Sequence, residues 1–326
     1  MKNRTSNIPI SATRQSHFSV VSAISQGARD HQEDAYGYWS DSAQKQLFAV
    51  VADGAGGHGG GAEASKATIA WAAQTWEKIT TSDLADPAGF LAQWMKDAHL
   101  AVNEASAKIH HSARAVVVAC LADGNAVHWV HAGDCRLLRF HEGKLVERTR
   151  DDSVVQVLFE RGEITEEEMG THPDQSRLLQ SLGGEDYPKP HPGSAVIVTG
   201  DVLILCSDGF WEHLKQAELE KLAAALPAKR QHALDQAVAE AVRRAGAKAD
   251  NTTAVIIAFD ENDRSRVGTR WYLLLLLAIF AGFVAVVCRS GKLENLKQLW
   301  KNWRPPAAAL LKENFSSKPP ALASYE

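Results

Sequence analysis

Cysteine is scarce and scattered in this chain. Four occur among 326 residues, at positions 120, 135, 206 and 288, with no CxxC pair and no metal-finger spacing. That excludes a disulfide scaffold and a Cys-based structural zinc site, and it fits a reducing compartment. A cationic excess is missing too: 35 Lys and Arg stand against 39 Asp and Glu, for a net charge of −4. Nucleic-acid binding driven by overall basicity is thereby excluded. There is no internal repeat and no low-complexity tract, and 45% of the residues are hydrophobic, which excludes disorder as the main state. A glycine loop, Gly54-Ala55-Gly56-Gly57-His58-Gly59-Gly60-Gly61, lacks the Gly-Lys-Ser/Thr ending of a P-loop, which removes an ATPase reading.

One long apolar run is present. Trp271 to Cys288 is 18 residues without a charge and contains five consecutive leucines, Leu273 to Leu277. As a helix it spans about 27 Å, enough for the hydrocarbon core of a bilayer. Trp271, Tyr272, Arg270 and Arg289 suit interfacial anchoring, so a single transmembrane helix is expected. Residues 1–16 are polar, contain Pro9 and read as a flexible lead without an export signal. The expected organisation is a lead at 1–16, a globular domain at 17–262, a juxtamembrane linker at 263–270, the span at 271–288 and a basic tail at 289–326. With no export signal, a single-pass membrane protein with its body in the cytoplasm is expected. Lys and Arg are denser after the span than before it, a bias that by itself places the tail inside and opposes that orientation, so the side of the tail is left open. The tail holds seven Lys or Arg against three acids; its Leu293, Leu296, Leu299, Trp300 and Trp303 suit either an interfacial helix or a solvated segment.

Residues 17–260 mix two periodicities. Strand-like runs are His17–Ser25, Tyr36–Trp39, Gln46–Ala52, Ala115–Ala122, Ala126–His131, Val202–Cys206 and Thr252–Phe259, with hairpin turns at Asp123-Gly124-Asn125 and Glu142-Gly143. Helical spacing joins Leu91, Met95, Ala98, Val102, Ala105 and Ile109, opened by Asp86 and Pro87. It recurs from Ala62 to about Ile79, and through Leu234, Val238, Ala241 and Ala245 up to Gly246. Strands come in groups and helices in pairs, so an α+β fold with antiparallel sheets is expected.

Apolar runs repeatedly end in Asp followed by Gly or Asn: Asp53-Gly54, Asp208-Gly209 and Asp250-Asn251. Gly133-Asp134 and Glu33-Asp34 add further acids at run ends. Singly, each reads as a turn aspartate. Five on one sheet rim would repel unless protonated or bound to cations. Oxygen donors without His or Cys favour hard ions, Mg²⁺ or Mn²⁺.

This arrangement resembles the metal-dependent serine/threonine protein phosphatases of type 2C, in their bacterial branch. The opening motif is similar in Gly27-Ala28-Arg29-Asp30-His31-Gln32-Glu33-Asp34, and the metal loop in Val50 to Gly57 with His58. Gly133-Asp134-Cys135-Arg136, Ser207-Asp208-Gly209-Phe210-Trp211 and Asp250-Asn251-Thr252-Thr253 follow in the family's order. The resemblance implies two antiparallel sheets packed as a sandwich and flanked by helices, an αββα arrangement, with two Mn²⁺ or Mg²⁺ ions at one end. It implies metal ligation by Glu33, Asp53, Gly54 through its carbonyl, Asp208 and Asp250, and a weaker third ion at Asp134 shared with Asp208. Asp34 matches an acceptor for metal-bound water and Arg29 a phosphate clamp. The implied partners are phosphoproteins and a cognate Ser/Thr kinase, with a monomeric catalytic domain and no nucleic acid. The rival reading is an inactive, membrane-tethered pseudophosphatase that binds phosphoproteins as a scaffold.

The chain departs from the family pattern at several points. Ala55 stands where eukaryotic members carry a His, and Ala113-Arg114-Ala115 replaces a Gly-Thr-Thr strand start. Cys135 replaces a Ser, and Asp152 replaces a His after Asp151. Ser153–Gly184 matches the flap beside the active site, with a capping box at Thr165 and Glu168. Within it, His172-Pro173-Asp174-Gln175-Ser176-Arg177 resembles phosphatases that oppose kinases in bacterial type VI secretion.

Overall fold

The computed structural model describes residues 17–260, apart from 42–44, 56–59 and 124–125. Its strands are β1 (His17–Ser25), β2 (Asp34–Ser40), β3 (Gln46–Ala55), β4 (Arg114–Asp123), β5 (Ala126–Ala132), β6 (Arg136–His141), β7 (Lys144–Arg148), β8 (Gly193–Val196), β9 (Asp201–Cys206) and β10 (Thr252–Asp260). Its α-helices are α1 (Gly60–Lys78), α2 (Thr81–Ala85), α3 (Pro87–Ile109), α4 (Val154–Glu160), α5 (Glu166–Met169), α6 (Asp208–Trp211), α7 (Gln216–Ala223) and α8 (Arg230–Ala245). One sheet has the order β1-β10-β9-β6-β7 and the other β2-β3-β4-β5-β8, and every pairing is antiparallel.

Strand alternation builds three apolar layers. Leu47, Ala49 and Val51 of β3 meet Leu203, Leu205, Val255 and Ile257 between the sheets. Their neighbours Phe48, Val50 and Ala52 face α1 and α3. On the other side Val202, Ile204 and Cys206 of β9 pack with Leu219, Leu222, Leu234 and Val238 of α7 and α8. Both faces of the central strands are covered, which is why they read as continuous apolar runs. Each fully buried large side chain contributes about 1.5–3 kcal/mol, so the sandwich is held chiefly by these layers. The expected αββα architecture is the observed one.

Local signals set the helix limits. The Asp86 carboxylate accepts the Gly89 amide at 3.1 Å and Pro87 opens α3. At the far end His110 turns left-handed with φ 55°. Gly246, at φ 61°, closes α8. Glu142 and Gly143 both have positive φ, 49° and 73°, which fits the tight turn expected there and joins β6 to β7.

Three strands were not legible in the sequence. β6 carries Arg at both Arg136 and Arg139, β7 is largely solvated, and β8 begins Gly-Ser-Ala, so none shows clean alternation of two or more apolar residues. At the capping box the Glu168 carboxylate does accept the Thr165 amide at 2.7 Å and its hydroxyl at 2.9 Å, but α5 extends only from Glu166 to Met169. Among the described residues no helix is long and apolar enough to cross a membrane, and the expected span at Trp271–Cys288 lies outside them, as do the lead, the linker, the tail and His58.

Candidate metal centre

Antiparallel topology gathers the acids. The ends of β3, β5 and β9 and the starts of β2 and β10 lie on one rim, and each bears an acidic residue of the motifs. Arg29, Glu33, Asp53, Gly54, Asp134, Asp208 and Asp250 all line one cleft of about 560 Å³. Asp34 sits beneath it, 4% exposed. Every site residue expected from the sequence is therefore brought together.

Glycine makes the close approaches possible. A Cβ on Gly54 would lie 2.0 Å from the Gly61 carbonyl oxygen, and one on Gly61 would lie 2.8 Å from the Glu33 carboxyl carbon. Gly54 and Gly61 thus seat backbone against the acidic cluster. The Gly54 amide donates to the Glu33 carbonyl at 3.0 Å, tying the two acidic loops together. Gly27, at φ 63°, lets the first loop lie against Ala249 and Asp250, where a Cβ would collide with the Asp250 carbonyl at 2.2 Å. The Ala28 amide completes that contact by donating to the Ala249 carbonyl at 2.8 Å.

Arg29 pairs through Nη2 with the Asp250 carboxylate, and not with Asp30 or Glu33. That bond raises the guanidinium pKa further, with Asp208 and Asp53 adding attraction. The side chain remains 59% exposed, so its fork is open to a ligand in the cleft.

The acids carry the electrostatic mark of a cation site. Burial pushes Asp34 up to about 7 and Asp208 up to about 6, and lifts Asp53 and Asp134 well above the carboxylate range. Mutual repulsion adds to each: Asp53 feels Asp34, Asp208, Asp134 and Asp250. Arg29 and Arg136 supply the offsetting positive charge, and hydrogen bonds from Ser207 to Asp34 and from the Gly209 amide to Asp208 add to it. Asp34 Oδ2 accepts the Ser207 hydroxyl at 2.7 Å, whereas buried Oδ1 has no hydrogen-bond partner. Oxygen donors, an orphaned carboxylate oxygen and a glycine-seated backbone fit hard divalent ions. Among the described residues no three His, Cys, Asp or Glu side chains are drawn tightly enough together to enclose an ion by themselves.

Supporting residues escaped the sequence reading. Asn251 accepts the Glu33 amide at 2.6 Å and donates to the carbonyls of Gln26 at 2.8 Å and His31 at 3.1 Å. It clamps the Arg29 loop to the start of β10. The Asp-Asn pair was its only signal. Arg136 and Asp151 form a bidentate pair at 2.9 and 2.7 Å, both buried, with the guanidinium carbon 3.2 Å from the Trp211 ring centre. The Trp211 indole donates to the Asp134 carbonyl at 3.1 Å. Asp152 accepts the Gly133 amide at 3.2 Å and meets His191 at 3.0 Å, so the substituted residue still braces the Asp134 turn. Glu212 is lifted to about 9 by burial and by Asp208 and Asp134.

Comparisons with known proteins agree with this geometry. The family described as Protein phosphatase 2C matches residues 22–249, stopping one residue short of Asp250. The serine/threonine phosphatase stp of Listeria innocua is 29% identical over 201 residues, 60% of this chain and 78% of that one. The crystal structure of the catalytic domain of the serine/threonine protein phosphatase PstP in complex with two manganese ions is 26% identical, with a TM-score of 0.60 over 75% of this chain and 99% of that chain. PppA of Pseudomonas aeruginosa, described as a key regulatory component of its type VI secretion system, is 26% identical, with a TM-score of 0.61 over 75% and 98% of the two chains. From fold, rim and matched sequence alike, this chain belongs to the protein phosphatase 2C family.

Proposed function

We propose that this protein is a serine/threonine phosphoprotein phosphatase anchored at a membrane, dependent on Mn²⁺ or Mg²⁺ and opposing a Ser/Thr kinase. The observation that carries the reading is the convergence of Glu33, Asp53, Asp208 and Asp250 with Arg29 on one cleft. Glu33, Asp53, the Gly54 carbonyl, Asp208 and Asp250 are the residues to hold two ions, and Asp134 with Asp208 a weaker third. When bound, the ions supply positive charge for the phosphate and a water of lowered pKa. Arg29 binds non-bridging phosphate oxygens through its planar fork and steadies the charge of the loose transition state. Asp34, fixed at Oδ2 by Ser207 beneath the cleft, is the residue to accept a proton from the attacking water. No nucleophilic Cys is called for; Cys135 and Cys206 are buried and their thiols are pushed up, Cys206 to about 12.

Membrane attachment rests on the uncharged run Trp271–Cys288, which is long enough for a single pass. Anchoring would raise the local concentration of enzyme at a membrane-bound kinase or its targets. The resemblance of His172–Arg177 to phosphatases that oppose kinases supports the kinase-opposing role, and the likeness to PppA, a regulatory component of type VI secretion, fits a regulatory task. The test is Mn²⁺-dependent phosphate release from p-nitrophenyl phosphate and from phosphoserine peptides, with Asp53→Asn as control. Phosphopeptide binding without turnover would replace the enzyme by the scaffold.

A further inference from the structure

A second cleft, of about 810 Å³, adjoins the metal cleft and shares Ala55, Ser176 and Leu178 with it. Its other walls include Arg114 and Lys189, the exposed side chains of Leu179 and Tyr187, and a single acid, Asp186. Cations thus border a cleft whose own lining is dominated by carboxylates. Arg114 belongs to the Ala113-Arg114-Ala115 stretch, where the family pattern has no arginine, and the catalytic reading leaves it without a task.

The groove is built rather than incidental. Ala115 and Leu182 exchange amide hydrogen bonds at 3.1 and 2.7 Å, which staples residues 178–184 to the start of β4. From α3, His99 Nδ1 accepts the Gly183 amide at 3.1 Å, and Asn103 bonds both the amide and the carbonyl of Gly184 at 2.8 and 2.9 Å. Tyr187 stacks on His99 with ring centres 4.6 Å apart. Gly184, at φ 88°, leaves room for the Arg114 guanidinium, which would stand 2.8 Å from a Cβ there. The Lys189 amide donates to Gln180 Oε1 at 2.5 Å. Arg114 itself makes only a 3.5 Å contact with the Ser181 hydroxyl, and neither Arg114 nor Lys189 forms an ion pair among the described residues.

We propose that this groove receives the polypeptide flanking the phosphoresidue and that Arg114 and Lys189 select segments bearing an anionic side chain there. The inference rests on the phosphatase reading and deepens it. Charge complementarity favours the occupant: a phosphoprotein segment presents anions, and the apolar stems of Leu179 and Tyr187 take its aliphatic parts. The same cations would accept the carboxylate of Asp or Glu or the phosphate of a second phosphorylated residue, since both match the guanidinium fork.

The test compares kcat/KM for phosphopeptides with neutral flanks, with Glu scanned along both sides, and with a second phosphothreonine at the preferred position. Wild type should favour an anionic flank by about tenfold, the scale of one charge-assisted contact. The Glu and phosphothreonine arms identify the better anion. Arg114→Ala with Lys189→Ala should abolish that preference while p-nitrophenyl phosphate turnover, which does not reach the groove, stays unchanged. Arg114→Glu should shift the preference towards Lys-flanked peptides. A wild type indifferent to flanking charge, or a preference that survives the double substitution, overturns the proposal. Turnover of p-nitrophenyl phosphate by the wild type keeps this outcome separate from failure of the phosphatase reading.

Discussion

Asp34 and Asp53 stand directly opposite one another across the antiparallel β2–β3 ladder. Opposed residues project to the same face, with Cβ atoms about 5 Å apart, and like charges there are destabilising. Both acids are held above the usual carboxylate range, Asp34 at about 7. In chelator, Asp53→Asn should therefore melt about 2–4 °C above the wild type, the scale of 1 kcal/mol in a domain of this size. Added Mn²⁺ should raise the wild-type melting temperature and leave the variant unmoved, with activity down about 100-fold or more. A variant less stable than wild type in chelator would show that the pair does not repel.

Asp208 supplies a pH signature. Burial, then Asp250, lift its pKa from 3.8 to about 6. A carboxyl whose folded pKa is raised gives stability that is complete below the unfolded value and lost as pH rises through the folded one. In chelator, the melting temperature of Asp208→Asn minus that of wild type should widen between about pH 4 and 6 and then level off. A difference flat across that window would contradict the raised value.

The clamp at Asn251 is testable apart from the metals. Asn251→Ala removes three hydrogen bonds that hold the Gln26–Glu33 loop. Denaturant unfolding should show a loss of about 1–3 kcal/mol. The turnover defect should appear in kcat, because displacing Arg29 and Glu33 weakens transition-state contacts. Unaltered stability and kcat would mean the loop is held by Gly27 and Ala28 alone.

The buried pair Arg136–Asp151 should behave as a unit. Arg136→Met leaves Asp151 charged and unpaired at 2% exposure, a cost of about 3–5 kcal/mol. Arg136→Met with Asp151→Leu should recover much of that, which a double-mutant cycle on unfolding free energies measures. Additive losses would argue against direct coupling.

Anchoring is checked by fractionation. The full chain should sediment with membranes, and a chain ending at Asp263 should stay in the supernatant. Equal sedimentation of both would remove Trp271–Cys288 as the anchor.

Much of this protein is local information and was legible residue by residue. Continuous apolar runs named β3, β4, β9 and β10; 3.6-residue spacing with Asp86 and Pro87 named α3 and its start, and with Gly246 named α8 and its end. The acids at strand ends named the chemistry, because oxygen donors in number call for hard cations. The strands β6, β7 and β8 carried too little alternation to be read, since their place depends on neighbours across the sheet.

Sequence alone thus determined which residue types could bind ions and roughly where β1–β5, β9, β10 and the three long helices lie. Tertiary structure decided the rest. It set Arg29 against Asp250, 221 residues away, made Asn251 a clamp for a loop at the other end of the chain, and turned Arg114 into the wall of a groove. Such pairings follow from packing two sheets face to face, and no local periodicity encodes a contact between segments so distant along the chain.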